Sequence, residues 1–167
     1  METILATMAD QLGQMLVILG AALAVGFAGS GSAWGIGLAN EAAAGIMTED
    51  PKKFGYALVL LALPGTQGIY GMIIAFLIMF KIGMVGGSGP VDLTIEQGFQ
   101  FLMCSLPIAI VGLTSGIAQG RAAVASLGII AKRPEELGKA MMYPALVETY
   151  AVLSLLISFL MWLGIAV

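Results

Sequence analysis

Four stretches of this chain are each long and apolar enough to cross a bilayer, and they constrain its fold more than any motif does. A helix needs roughly 20 apolar residues to span the hydrocarbon. The stretches run from about Met15 to Met47, Phe54 to Phe80, Gln97 to Ile130, and Leu137 to the C-terminus. In lipid every backbone N–H and C=O must find its partner inside the protein, so such stretches are read as helices. Charged residues make up 10% of the 167, against ~25% in a soluble domain, which agrees with lipid as the solvent. The expected fold class is therefore all-α, with four transmembrane helices.

Composition removes several classes of chemistry. There is no His, and the single Cys104 excludes both an internal disulfide and a cysteine zinc cluster. No HExxH, Ser–His–Asp set or Walker-type loop can be assembled. The nearest dinucleotide-like run, Gly29-x-Gly31, fails at its third glycine, where Trp34 stands. The opening Met1-Glu2-Thr3 lacks the basic start of a signal peptide. Nothing suggests nucleic-acid binding.

The connections between spans one and two (Thr48 to Lys53) and three and four (Ala131 to Glu136) are short and polar. They predict two antiparallel hairpins, residues 12–82 and 95–167. The Gly- and Pro-containing stretch from Lys81 to Glu96 joins them. Lys52, Lys53, Lys132, Arg133 and Lys139 all sit at the two short turns, whereas the opposite side offers only Lys81, with Asp10, Asp92 and Glu96. The positive-inside rule then places the turns at Pro51 and Pro134 in the cytoplasm and both termini outside. The expectation is a multi-pass protein of the cell membrane.

The hairpins repeat one another. Pro51-Lys-Lys-Phe-Gly55 returns as Pro134-Glu-Glu-Leu-Gly138. The same shift pairs Gly29 with Gly112, Ser32 with Ser115, Gly37 with Gly120, Gly45 with Gly128, Leu63 with Leu146, Thr66 with Thr149 and Phe76 with Phe159. Prolines and glycines recur in order, which marks a parallel tandem repeat. Spans one and three carry small-residue stripes, Gly31-xxx-Gly35 and Gly112-xxx-Gly116-xxx-Gly120. Such stripes let helix backbones approach closely in lipid. Packing within one bundle would account for them, but their presence in both equivalent helices favours the inner layer of an assembly.

The repeats differ at one informative position, where Gly65 of the first corresponds to Glu148 of the second. At 1.5 Å per residue Glu148 lies roughly 21 Å from the Pro134 turn, well inside the hydrocarbon. An ionisable group there is costly and reads as functional. Arg121 is the nearest base and does not lie level with it. Gln119 lies as far before Pro134 as Glu148 lies after it, and Thr66 and Gln67 hold the same depth after Pro51. Leu63, Thr66, Gln67 and Tyr70 share one helix face by their i, i+3, i+4, i+7 spacing. Pro64 removes an N–H, which frees the Leu60 carbonyl and loosens the turn at Leu63. Chemically this is an oxygen cage around one carboxylate, and hard cations take oxygen ligands. One negative charge neutralises a monovalent ion, so a loaded site is cheap to hold in lipid. A proton would need only the carboxylate and one or two acceptors, so the additional oxygens favour Na⁺ over H⁺.

These residues carry a resemblance. Leu63-Pro-Gly-Thr-Gln-Gly-Ile-Tyr-Gly71, Ser115-Gly-Ile-Ala-Gln-Gly120 and Val147-Glu-Thr-Tyr-Ala151 resemble the proteolipid (K, or c) subunits of V-type ATPases, most closely the bacterial sodium-transporting branch. It covers nearly the whole chain. It implies a ring of identical subunits that rotates against a stator, with ATP hydrolysed elsewhere, so the chain itself is not an enzyme. It makes Glu148 the ion-binding carboxylate, with side-chain oxygens from Thr66, Gln67 and Gln119, the Leu63 backbone carbonyl, and Tyr70 hydrogen-bonded to Glu148 to lock the site. Implied partners are a stator component bearing an essential Arg, a central-stalk component at the cytoplasmic turns, and lipid. Ala62 before Leu63 and the longer Gly83 to Gly89 loop depart from the pattern without touching the site. Glu41 reads as interfacial or lumen-facing. The rival readings are the same ring carrying H⁺, and a hairpin pore, which would need a continuous polar stripe where glycines stand instead.

Overall fold

The computed structural model describes residues 2–87, 89 and 91–167, with side-chain surroundings from Gln11 onward. Met1, the Asp10 side chain, Ser88 and Pro90 therefore lie outside the described residues. The described residues form helices and turns without strands. Helix α1 runs Glu2–Glu49, α2 Phe54–Ala62, α3 Thr66–Lys81, α4 Ile95–Lys132 and α5 Leu137–Gly164. Helices α2 and α3 make a single span interrupted by a 3₁₀ turn at Leu63–Gly65. Four spans long and apolar enough to cross a membrane result: Gln11–Glu49, Pro51–Lys81, Ile95–Lys132 and Pro134–Gly164. This is the all-α pair of repeated hairpins expected from the sequence, in a multi-pass membrane protein.

The helix ends follow from local chemistry. Pro51 and Pro134 each open a 3₁₀ turn that leads into the returning helix, where a missing N–H costs nothing. The Asp50 side chain accepts the Lys52 N–H at 3.1 Å. Thr94 and Gln97 form a reciprocal capping box at the start of α4, a device whose N-cap is worth about 1 kcal/mol. The loop between hairpins turns on Gly83, Gly86 and Gly89, all with positive φ, which an L side chain adopts only with strain.

Helices α1 and α4 pack along their length through small residues. A Cβ on Gly31 would fall 2.6 Å from the Gly112 carbonyl oxygen, and one on Gly116 would fall 2.6 Å from the Gly31 carbonyl carbon. The stripes singled out in the sequence thus face each other inside one chain. Within the chain these glycines serve the hairpin-to-hairpin contact, because only small residues let the two backbones approach this closely. Helix α3 lies on α1 and α5 on α4. Across the seam Lys53 Nζ donates to the Ala131 carbonyl at 2.6 Å at the turn end. At the far end Trp162 Nε1 donates to the Leu77 carbonyl at 3.1 Å, and Lys81 sits 4.7 Å over the Trp162 ring.

Two apolar clusters divide the interior. Val17, Ile74, Ile78, Phe101 and Ile108 build the one toward the termini. Ala39, Leu60, Ala123, Leu127 and Ile130 build the one toward the short turns. Between them lies a polar layer, and the site falls there.

Candidate ion-binding site

Each wall of the polar layer is shaped by a proline. Pro64 cannot donate to the carbonyl one turn back, so the helix tightens into the 3₁₀ turn whose last bond runs from Thr66 N–H to the Leu63 carbonyl. Thr66 Oγ1 donates to that same carbonyl at 3.1 Å. The turn presents Gln67 and, one helical turn on, Tyr70 toward the second hairpin. Pro144 acts likewise on α5. It lacks the N–H that would have bonded the Ala140 carbonyl, and Ser126 Oγ supplies the missing donor at 2.7 Å. The Pro144 carbonyl in turn accepts from Gln119 Nε2 at 3.0 Å.

The side chains meet across the seam. Gln67 Nε2 donates to Gln119 Oε1, and both residues are fully buried. Gln119 Nε2 also reaches Glu148 Oε2 at 3.4 Å. Tyr70 Oη donates to Glu148 Oε1 at 2.6 Å. The Thr66 side chain neighbours the Tyr70 hydroxyl. Gln67, Gln119, Tyr70 and Glu148 are therefore in direct contact, whereas Leu63 joins them through Thr66.

One atom in this layer is unsatisfied. Gln67 Oε1 is buried and has no hydrogen-bond donor. A buried acceptor left without a partner costs about 1–3 kcal/mol, so its position demands a reason. It lies in the same polar layer as Glu148, whose two carboxylate oxygens receive one donor each, from Tyr70 and Gln119. Glu148 is half-buried and opens onto a shallow groove of about 390 Å³ with Ala145, Thr149, Val152 and Leu153, on the outer surface of α5. The carboxylate can therefore be reached from outside the bundle. Arg121 is exposed, and the described ion pairs, Lys53–Asp50 and Lys139–Glu136, do not involve Glu148.

Some contacts escaped the sequence reading. Ser32 Oγ accepts the Gly68 N–H at 2.8 Å, holding α3 on α1 directly above the site. Ser32 and Ser115 were visible only as a repeat pair. The Pro144 carbonyl and Ser126 also went unread, although a proline inside a span signals a freed carbonyl that some hydroxyl must meet.

A pair of parallel membrane hairpins with one acid held at mid-depth between them defines a proteolipid-type, ion-translocating membrane protein. The sequence profile of the ATP synthase C-subunit family matches twice, at residues 19–78 and 102–161, starting points 83 residues apart. The K subunit of the V-type sodium ATPase of Enterococcus hirae is 50% identical over 152 residues, 91% of this chain and 93% of that protein. The K subunit of the A-type ATP synthase of Methanocaldococcus jannaschii is 42% identical over 151 residues, 90% of this chain and 63% of that protein. The c' proteolipid of the V-type proton ATPase of Neurospora crassa is 26% identical over 113 residues, 68% of this chain and 66% of that protein. The chain belongs to the ATP synthase C-subunit family, among its V-type proteolipids, and is a non-catalytic, ion-translocating component.

Proposed function

We propose that this chain is a rotor-ring subunit of a V-type ATPase and that it carries Na⁺ across the membrane on Glu148, as the ring turns under ATP hydrolysis in the soluble head. The observation that carries the sodium reading is the buried, donor-free Gln67 Oε1 in the polar layer that Gln119 links to Glu148. A proton carrier has no use for it, because a protonated carboxyl needs an acceptor only for its own O–H. A cation of charge one is balanced by Glu148 and takes its remaining ligands from neutral oxygens. Those assigned are Gln67, Gln119, Thr66 and the Leu63 carbonyl, with Tyr70 fixing the carboxylate. The 50% identity to a K subunit of a sodium ATPase supports the same choice.

In this reading the hairpins 12–82 and 95–167 are the two halves of one ring segment. Identical copies complete the ring. The turns at Pro51 and Pro134 face the cytoplasm and meet the central stalk, and the termini face outside. An ion enters from the cytoplasmic side through a half-channel at the stator, reaching Glu148 on the lateral face of α5 where it opens. Once loaded, the neutral site passes through lipid. A stator arginine then competes for Glu148 and releases the ion.

Carbodiimide labelling of Glu148 in the purified ring tests this. The reagent attacks a protonated carboxyl, so a bound ion blocks it. Protection by Na⁺ and not by K⁺ across a pH series supports a sodium rotor. Labelling that follows pH alone and ignores Na⁺ makes the ring a proton carrier and leaves Gln67, Gln119 and Thr66 as scaffold.

A further inference from the structure

Span two is interrupted at the level of the site, and the interruption leaves a donor that its own helix cannot satisfy. Helix α3 restarts at Thr66, behind the 3₁₀ turn at Leu63–Gly65. The first N–H groups of a helix have no intrahelical acceptor. A Ser, Thr, Asp or Asn at the N-cap ordinarily takes one of them, at the second or third helical residue. Here the N-cap is Gly65, which has no side chain to do so. Gly68, the third residue of α3, gives its N–H instead to Ser32 Oγ of α1 at 2.8 Å. Ser32 is only 6% exposed, so the bond is shielded from solvent. The helices come close enough for it because Gly68 lacks a side chain: a Cβ there would fall 3.3 Å from Gly29 Cα and 3.4 Å from Ser32 Oγ.

The second hairpin provides the comparison. One repeat on, Ser32 becomes Ser115 and Gly68 becomes Ala151. Ser115 is as buried as Ser32, yet its hydroxyl has no hydrogen-bond partner. The difference lies in the span opposite. Helix α5 runs unbroken from Leu137 to Gly164, through Pro144, so the Ala151 N–H is taken up within α5. The same serine therefore acts as a cap only where the opposite span is broken. That break occurs in the hairpin that supplies Leu63, Thr66 and Gln67.

We propose that Ser32 is a positioning residue for the ion site: it caps α3 from the neighbouring helix and so holds the Leu63–Gly65 break in the shape that aims the Leu63 carbonyl, Thr66 and Gln67. Thr66 and Gln67 are the first two residues of α3, directly before the capped Gly68. Without the cap, the Gly68 N–H turns back on the Pro64 carbonyl four residues earlier, as in a regular helix. That closes the break and rotates the backbone of the residues between them, Gly65, Thr66 and Gln67. This proposal rests on the sodium reading of the site and adds to it a residue that acts through the backbone alone.

Carbodiimide labelling of Glu148 in purified ring, with Na⁺ titrated as the protectant, tests it in Ser32→Ala, Ser32→Cys and Ser115→Ala. The melting temperature of each ring is measured alongside. Ser32→Cys keeps the volume and offers only a weak acceptor. Both Ser32 variants should need roughly fivefold more Na⁺ for half-protection, the scale of a lost N-cap. Their labelling in Na⁺-free buffer should keep the pH dependence of the unmodified ring. Ser115→Ala removes an equally buried hydroxyl that holds nothing, and should be protected like the unmodified ring. A lowered melting temperature with an unmoved Na⁺ midpoint in either Ser32 variant makes Ser32 a packing residue and overturns the proposal. So does a Ser115→Ala midpoint raised as far as that of the Ser32 variants. If Ser32→Ala does not assemble, Ser32→Cys decides alone by the same criterion. An unmodified ring that Na⁺ does not protect at all overturns the sodium reading, and with it the site that Ser32 would position.

Discussion

Tyr70 Oη and Glu148 Oε1 lie 2.6 Å apart across the seam between the two hairpins. The bond joins a phenol from the hairpin that lacks the acid to the acid of the other. It ties the state of the carboxylate to the packing of the halves, because neither residue can move without breaking it. Tyr70→Phe keeps the ring and removes the donor. A hydrogen bond to a charged group contributes about 1.5–3 kcal/mol, so we expect Na⁺ affinity to fall roughly ten- to a hundredfold with the ring intact. Isotope exchange on purified ring reads this, and unchanged affinity would show that Tyr70 does not hold the site.

Glu148→Gln preserves the shape of the side chain and both partner positions while removing its charge. ATP-driven Na⁺ uptake by reconstituted complex should vanish, carbodiimide labelling should be lost, and the ring should still assemble. Disassembly instead would make Glu148 a structural residue whose contacts with Tyr70 and Gln119 hold the hairpins together.

Ser126 and Pro144 form a compensating pair through the Ala140 carbonyl. Ser126→Ala leaves that buried oxygen without its donor and should destabilise the chain by about 1–3 kcal/mol. In a Pro144→Ala background the residue regains its N–H, the helix satisfies Ala140 itself, and the cost of Ser126→Ala should shrink. Thermal melts of the four proteins in the cycle measure the coupling. Additive effects would mean that the two residues act independently.

The inner helices make a sharper contrast. A Cβ at Gly116 would strike the Gly31 backbone, with no flexible side chain to yield. Gly116→Ala should therefore destabilise the folded chain by about 1–3 kcal/mol, as overpacking does, and lower the detergent melting temperature. Gly128→Ala, with nothing within 4 Å, should leave it unchanged. Equal melting temperatures would contradict the close packing of α1 on α4.

Most of this fold was legible because lipid leaves few alternatives: four long apolar stretches with short polar turns can only be helices, and the 3₁₀ turn at Leu63–Gly65 follows from Pro64. The common level of Glu148, Gln119, Thr66 and Gln67 along the helices was legible by counting residues from Pro51 and Pro134. What counting could not supply was direction. The two glycine stripes, read from sequence, favour the inner layer of an assembly, and that they meet each other within one chain was not legible, since periodicity marks a face and does not name what covers it. Hydrogen-bond partners were out of reach for the same reason. That Gln119 would bond the Pro144 carbonyl depends on rotation of each helix by a few tens of degrees.

Gln67 gives the most discriminating test of the ion. Its amide nitrogen bonds Gln119, and its oxygen has no donor. Gln67→Leu removes both, so the protein exchanges one unpartnered amide oxygen, Gln67 Oε1, for another, Gln119 Oε1. Stability should therefore change little. Na⁺ binding should not be so indifferent, because a neutral ligand is lost from a site where lipid and apolar side chains offer no water to replace it. We expect Na⁺ protection of Glu148 against carbodiimide to need at least about tenfold more Na⁺, a difference of about 1.4 kcal/mol. Labelling in Na⁺-free buffer should keep its pH dependence. If protection by Na⁺ is unaltered, Gln67 Oε1 faces no ion, and the sodium reading loses the observation on which it rests.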